Sequence, residues 1–410
     1  MQTSSSPFHG PLRPESLFSA QRVHLEAQAM PAMTHEQLAA IPKKQARAVE
    51  VREASFDDYP QIALLQARYG MDARSYAEWS HFWVDNPAYR GREWWPIGWV
   101  LENQQHEIVG YLGNIPLIYQ LQGKSLLAAT GRSLVVDVPY RTHSFLLLNQ
   151  YFRQSRVDLL LNTTVNAQAV AAYRAFRAQQ VPVGEWDRPA FRILNYGGFA
   201  SSLLRSKSVP GASILGLPVG AALALRDLLL RKNRGVQCGT PVEACTRFDQ
   251  RFDTFWEALK KQTSKLLGNR DRKTLNWHFK YALRSGRAWV FAAGGKQQIT
   301  AYAVFQRDDN RRFGLKRIRL VDFQSIGDDY SLLLPMFATA FKRCQRERIH
   351  MLEVMGHCAQ KREIVDALLP HTRHLGFWMY FYKANDRELA KTLSQPELWD
   401  PTGFDGDSSL

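Results

Sequence analysis

The chain has 410 residues, 45% apolar and 22% charged, with 53 Lys and Arg against 38 Asp and Glu for a formal net charge of +15. Length and composition predict two or three ordinary globular domains. Four cysteines (Cys238, Cys245, Cys344, Cys358) without metal-type spacing argue against a zinc site and a disulfide framework and fit a reducing cytoplasm, and no run of five basic residues marks a nucleic-acid arm, so the positive charge reads as a basic surface or as attraction for a polyanion.

Residues 1–45 carry Ser, Pro, His and Arg without an apolar segment, which predicts a disordered N-terminal arm and no secretory signal. A strand follows over 48–55. Asp57 and Asp58 then open a helix whose apolar positions Ile62, Leu65 and Tyr69 recur at helical spacing. Residues 74–84 read as a second, Trp-rich helix. Three strands over 98–102, 107–119 and 121–129, separated by short polar turns, predict a meander of hairpins. A further buried strand ends at Val135 and Val136. It stops at the turn Asp137-Val138-Pro139-Tyr140 and runs at once into an amphipathic helix over 144–154. An apolar strand over 157–163 and a helix beginning at Asn166 close this first unit, placed at 46–195.

The segment 196–240 breaks the pattern with Gly197-Gly198, Pro210-Gly211, an apolar stretch over 212–225 and the basic cluster Arg231-Lys232-Asn233-Arg234. It reads as a linker with one amphipathic helix, buried between domains or in peripheral contact with a membrane or an acyl chain. The stretch is shorter than the roughly 18 residues of a membrane span, and Pro218 interrupts it. Between 241 and 396 the order of elements recurs. A short strand and two helices lead into three strands, a helix over 331–345, a strand over 349–354, a helix over 361–369 and a closing strand over 377–383. The recurrence predicts an internal duplication. The predicted fold class is therefore α/β: two units, each a mixed central β-sheet flanked by helices. Residues 397–410 form a C-terminal tail in which Asp405 and Asp407 read as a solvated turn or a cation chelate.

Two blocks carry chemistry. A strand that feeds a helix N-terminus gathers free backbone N–H groups and the positive end of the helix dipole at one point, which binds anions. That point falls on Val136, Val138, Arg141, Thr142, His143, Ser144 and Phe145. Further on, Asn166, Ala169 and Tyr173 are spaced to share one helical face. In this order the two blocks resemble the acyl-CoA-binding motifs of the GNAT acyltransferase superfamily. Its loop pattern Arg-x-x-Gly-x-Gly falls on Arg141 to Leu146. Arg141 matches, whereas Ser144 and Leu146 stand where glycines would let backbone approach phosphate closely.

The resemblance implies an acyltransferase that uses acetyl-CoA or a longer acyl-CoA. The strand before the loop would part from its neighbour and offer an N–H to the thioester oxygen. The loop would cradle the pyrophosphate, with Asn166 beside it, and Tyr173 would protonate the departing thiolate. Apart from the resemblance, Asn166 reads equally as a helix N-cap, Tyr173 as a core aromatic and His143 as a surface residue. In the second unit the turn over 324–330 carries Asp328 and Asp329, whose charge repels a pyrophosphate, so this copy binds the acceptor or supports the first. His357 beside Cys358 is a weak nucleophile signal.

The implied partners are a CoA thioester and a small-molecule or saccharide acceptor, because the tail over 399–407 resembles that of tandem GNAT-like proteins of surface-polysaccharide or secondary-metabolite synthesis. The doubled core also resembles Fem-type aminoacyltransferases, which would make tRNA a partner. The departures at Ser144 and Leu146 fit a third reading, a non-catalytic binding pair.

Overall fold

The computed structural model describes residues 48–71, 74–183, 186–230, 240–356, 358–375 and 377–410. The expected N-terminal arm over 1–45, the cluster at 231–234, Cys238 and His357 lie outside the described residues. In chain order the strands are β1 (Val49–Glu53), β2 (Gly98–Asn103), β3 (Ile108–Leu121), β4 (Lys124–Val136), β5 (Leu159–Asn166), β6 (Gln179–Gln180), β7 (Ala190–Ile193), β8 (Val242–Cys245), β9 (Leu267–Gly268), β10 (Ala288–Gly294), β11 (Ile299–Arg307), β12 (Arg317–Ser325), β13 (Met351–Val354), β14 (His371–Thr372) and β15 (Phe377–Ala384). The helices are α1 (Tyr59–Arg68), α2 (Tyr76–Val84), α3 (Ser144–Phe152), α4 (Val170–Ala175), α5 (Tyr196–Ser206), α6 (Ala212–Leu229), α7 (Gln250–Gln262), α8 (Arg272–His278), α9 (Lys280–Arg284), α10 (Leu333–Arg346), α11 (Ala359–Leu368) and α12 (Arg387–Thr392).

Two mixed sheets organise these elements. One runs β1-β2-β3-β4-β5-β15-β6, with β9 alongside β3, and the other runs β14-β7-β13-β12-β11-β10-β8. Helices flank both. The first core gathers Trp79, Trp83, Trp99, Leu112 and Tyr151, and the second gathers Phe291, Phe305, Met336 and Phe337.

Each sheet takes a strand from the other half of the chain. β15 pairs antiparallel with β5, from Phe377↔Asn166 to Ala384↔Leu159. β7 pairs antiparallel with β13, from Met351↔Ile193 to Val354↔Ala190. The strand expected to close the second unit therefore completes the first sheet, and the intervals 46–195 and 241–396 do not coincide with the two sheets. A short apolar run shows that a strand is buried, not which sheet edge receives it. Phe381 of β15 joins the first core, while Tyr380 and Tyr382 pack with Trp399.

Three further expectations change. The two strands expected over 121–129 and up to Val136 are one. Gln122 and Gly123 take φ of 49° and 79°, the left-handed pair of a tight hairpin, and turn β3 straight into an unbroken β4. The 196–240 linker contains two helices, α5 and α6, and α6 runs through Pro218 for 18 residues, long and apolar enough by length and composition alone to cross a membrane, where the apolar stretch was expected to be too short. The two helices approach closely through glycine: a Cβ at Gly220 would lie 2.8 Å from the Gly197 backbone. Phe199 of α5 packs with Phe191, Ile193 and Met351, which fastens the hairpin to the β7–β13 end of the second sheet. The tail, expected as a solvated turn, is buried. Trp399, Thr402, Phe404 and Asp405 are all inside the protein.

Candidate functional site

The first sheet opens at its centre. β4 and β5 run parallel and pair at Ala128↔Leu159, Ala129↔Leu160 and Thr130↔Leu161, and no ladder joins them beyond. The cause lies in β4. Against β3, Gly113 pairs with Arg132 and Tyr111 with Val135, so β4 carries one residue more than β3 over this step. The bulge falls at Ser133, whose φ is 59°. A bulge bends its strand and raises the local twist. Here it turns β4 away from β5 and leaves the β5-facing backbone beyond Thr130 outside any ladder. Tyr151 of α3 sits at the fork, its hydroxyl 3.0 Å from both the Ala129 and Leu161 carbonyl oxygens. One O–H shared between two acceptors on the two strands pins the point of parting. The Thr130 hydroxyl beside it is buried and has no hydrogen-bond partner among the described residues.

The expected anion loop lies just past the opening, built differently from the expectation. The chain does not enter α3 at once. A 3-10 helix over Val138–His143 intervenes. Val136 is buried in the first core and contributes backbone only. The N–H of Val138 already donates to the Tyr69 hydroxyl at 2.9 Å. Asp137 is buried at the start of the turn, and Arg68 neutralises it at 2.6 Å. Arg141 and Thr142 project into solvent, with His143 and Ser144 half-buried behind them. Arg141 has no ion-pair partner among the described residues. Phe145 does not face an empty cleft, because it stacks on Phe176 with centroids 4.5 Å apart.

Asn166 is the last residue of β5, not the start of a helix, and its side-chain oxygen accepts from the Ala169 N–H at 2.9 Å. α4 begins only at Val170. Asn166 and Tyr173 therefore do not share a helical face. Tyr173 still reaches the region of the fork. Its ring lies 5.2 Å from Phe152 and 5.6 Å from Phe381. Phe145, Phe176, Phe152 and Tyr173 form a continuous row of rings from loop to opening. The Tyr173 hydroxyl has no hydrogen bond among the described residues. Burial, reinforced by the Asp407 carboxylate, pushes its pKa above the ordinary phenol value.

The C-terminal tail supplies the polar groups that sequence reasoning left in solvent. Asp407 accepts from the Thr163 hydroxyl of β5 at 2.9 Å, and Arg132 of β4 donates to the Asp407 carbonyl at 2.9 Å. The tail thus bridges the two strands where they have parted. Gly406, at φ 58°, passes so close that a Cβ there would lie 2.7 Å from Thr163. Farther along, Arg74 and Arg132 both donate to the Leu410 carbonyl oxygen, at 2.6 and 2.9 Å. The same two arginines line a cavity of about 210 Å³ with Trp79, Phe82, Trp83, Tyr111 and Ser133. Both guanidinium groups lie over the Phe82 ring, at 4.9 and 4.8 Å. An aromatic pocket with two arginines in its wall therefore adjoins the bulge at Ser133.

Asp405 has a testable electrostatic signature. Burial pushes its carboxyl up to about 6, opposed by Arg270 and by the Thr402 N–H and Tyr119 hydroxyl that it accepts from. Its folded pKa thus exceeds the unfolded value. Between pH about 4 and about 6 the folded state holds a proton that the unfolded state has released, so this group costs stability progressively as pH rises through that window. Asp405→Asn removes the dependence. We expect the stability of the wild type to fall relative to the variant between pH 4 and 6 in urea titrations, and parallel curves would refute the assignment.

Sequence comparison matches the chain to no family model and to no curated protein. Structural comparison does find similar folds. An N-myristoyltransferase of Saccharomyces cerevisiae, solved with bound myristoyl-CoA, aligns with a TM-score of 0.51 over 94% of this chain and 85% of its own, at 9% identity. A GCN5-related N-acetyltransferase from Anabaena variabilis aligns with a TM-score of 0.50 over 83% of this chain and 73% of its own, at 10% identity. The chain has the GNAT fold. At such identities the likeness reaches the fold and not the activity.

Within this GNAT fold the two units differ at their openings. In the second sheet β12 and β13 pair in parallel from Arg317↔Met351 to Leu320↔Val354 and then part, as β4 and β5 do. That gap is filled. Lys361 of α11 donates to the Phe323 carbonyl at 2.9 Å and pairs with Asp400 of the tail, both side chains buried. Asp328 of the following turn is tied to Lys265 at 3.2 Å. One tail therefore plugs the second opening with Asp400 and lines the first with Asp407.

The residues that sequence reasoning missed are Tyr151, Ser133, Arg132 and the tail carboxylates. A non-glycine residue at positive φ leaves no mark in the sequence. The only available signal for the tail was its Asp-Gly-Asp spacing, which a solvated turn shares.

Proposed function

We propose that the chain is an acyl-CoA-dependent acyltransferase whose first unit takes the CoA thioester at the opening between β4 and β5. The observation that carries this reading is the bulge-driven parting of β4 from β5, with exposed Arg141 at one end and Tyr173 beside the fork. The fold neighbours, one of them solved with myristoyl-CoA, support it. The β4 backbone beyond Thr130, which no ladder joins to β5, supplies the kind of donor suited to an oxygen that gains charge as the thioester is attacked. Arg141, His143 and the exposed Arg174 and Arg177 form a basic rim suited to the phosphates of CoA. The Phe145–Phe176 stack crosses the approach between α3 and α4, so it parts when a ligand enters.

In the proposed reaction an acceptor amine or hydroxyl attacks the thioester carbonyl, the C–S bond breaks, Tyr173 gives its proton to the sulfur, and the proton that the acceptor nitrogen or oxygen loses passes through solvent to restore the Tyr173 phenol. The acceptor, a small molecule or saccharide, enters by the pocket of Trp79, Phe82, Arg74 and Arg132. The second unit, with its opening filled, supports the first. A reducing, cytoplasmic setting, in which the thiols of Cys245, Cys344 and Cys358 stay free, completes the proposal.

The deciding experiment is thermal-shift titration with CoA and acyl-CoA thioesters of increasing chain length, since a ligand that binds the folded state alone raises its stability. Saturable stabilisation is expected, and none at millimolar thioester would overturn the reading. Arg141→Ala is expected to weaken CoA binding by about 1–3 kcal/mol, the loss of a charge-assisted phosphate contact. Calorimetry at low salt checks this, and an unchanged dissociation constant would move the pyrophosphate elsewhere.

A further inference from the structure

α6 is amphipathic in the wrong sense for a helix on a water-facing surface. Its protein-facing side is small or polar: Gly216, Gly220 and Asp227 are buried, with Leu223 packed beside them. Asp227 is satisfied internally by Arg226, the Tyr196 hydroxyl and His371. The opposite side faces solvent and is aliphatic. Ile214, Leu217 and Leu228 are 79%, 72% and 68% exposed, with Leu225 and Leu229 beside them and Ala221 in the same stripe. Offsets of three, four and seven return to one side of a helix, so these residues form one continuous apolar strip. A strip of this kind on a folded surface marks an interaction site.

The charges around the strip indicate what it meets. From Arg188 to Val242 the chain has eight Lys or Arg residues and a single acid, Asp227, which is buried. Arg205 and Lys207 project from the end of α5, where the chain turns into α6, and Arg205 donates to Ser213 of α6 at 2.8 Å. Arg231, Lys232 and Arg234 follow the other end of α6 in sequence. An aliphatic face with the exposed cations Arg205 and Lys207 at its N-terminal end, and with its one acid, Asp227, turned inward, complements a bilayer carrying anionic headgroups. The buried glycine side is anchored to α5 and to the second sheet, so α6 lies along the membrane plane and does not cross it.

We propose that the Ile214–Leu217–Leu228 face of α6 docks the protein onto an anionic lipid surface. The inference stands whether or not the first unit is catalytic. The test is cosedimentation of the full chain with phosphatidylcholine vesicles and with vesicles containing phosphatidylglycerol, together with light scattering. The wild type is expected to bind the anionic vesicles preferentially. I214E/L217E/L228E should lower partitioning at least tenfold with an unchanged melting temperature, since all three side chains are in solvent. R205Q/K207Q should lower the preference for phosphatidylglycerol by about fivefold per charge, mimicked by high salt. Failure of the wild type to bind, equal binding to both vesicle types, or undiminished binding by both variants would overturn the proposal. So would a concentration-dependent dimer that I214E/L217E/L228E dissolves, because the strip would then meet a second copy of the chain.

Discussion

Tyr173→Phe is expected to lower turnover by about 10²–10⁴-fold while melting temperature and CoA affinity stay near the wild type, the usual magnitude of lost general acid catalysis. The packing of this side chain is separable from its proposed catalysis. Its ring is held between Phe152 and Phe381, contacts that phenylalanine keeps. Its hydroxyl has no hydrogen bond among the described residues, so removing it leaves no partner unsatisfied. Burial and Asp407 hold the phenol protonated at neutral pH. That shift makes the phenol a weaker acid than tyrosine in water, and it transfers its proton only to a thiolate made equally basic by the same dry opening. Acyl transfer and CoA release, measured with binding and melting on the same preparations, check the prediction. Full turnover in the variant would make Tyr173 a core residue. Lost stability without a specific loss of turnover would reveal a structural hydrogen bond.

The largest expected loss of stability comes from Arg270→Met. Arg270 and Asp322 are both fully buried and joined twice, at 2.9 and 3.0 Å. Burial alone would raise the Asp322 carboxyl; Arg270 beside it outweighs burial and holds it below the ordinary range, helped by the Tyr302 hydroxyl at 2.6 Å. Removing the arginine strands a carboxylate in the interior, which costs about 3–5 kcal/mol. A lowered urea midpoint at constant slope is the expected readout. R270M/D322L should recover part of the loss, because it removes the stranded charge but leaves the buried Tyr302 and Thr402 hydroxyls without their acceptor. A loss below about 1 kcal/mol in the single variant would mean that water reaches the pair. The effect also extends to the first unit. Arg270 lies over Phe404 at 4.6 Å, and Thr402 donates to Asp322 at 3.1 Å, so the same pair seats the tail that carries Asp405 and Asp407 to the opening.

What the sequence determined by itself was local. Apolar spacing marked α1, α2, α3 and α10, and Pro139 marked the end of β4, because these signals depend on neighbours within one turn or one strand. The contiguous residues from Val136 to Phe145 stay together in any fold that keeps this strand and helix, and so they were legible as a candidate loop. What only the tertiary structure decided was which partners those elements meet. The exchange of β7 and β15 depends on which sheet edge is open, and hydrogen-bonding edges carry no signature in the strand that fills them. The bulge at Ser133 arises from a mismatch between β3 and β4 that neither strand shows alone. Asp405 and Asp407 looked like a turn in water, and burial between Arg270, Tyr119, Thr163 and Arg132 made them part of a site. The exposed side of α6 was likewise unreadable, since an apolar helix can turn either face inward. Its glycines, which alone admit the close approach of α5, settled the choice and left the aliphatic face outside.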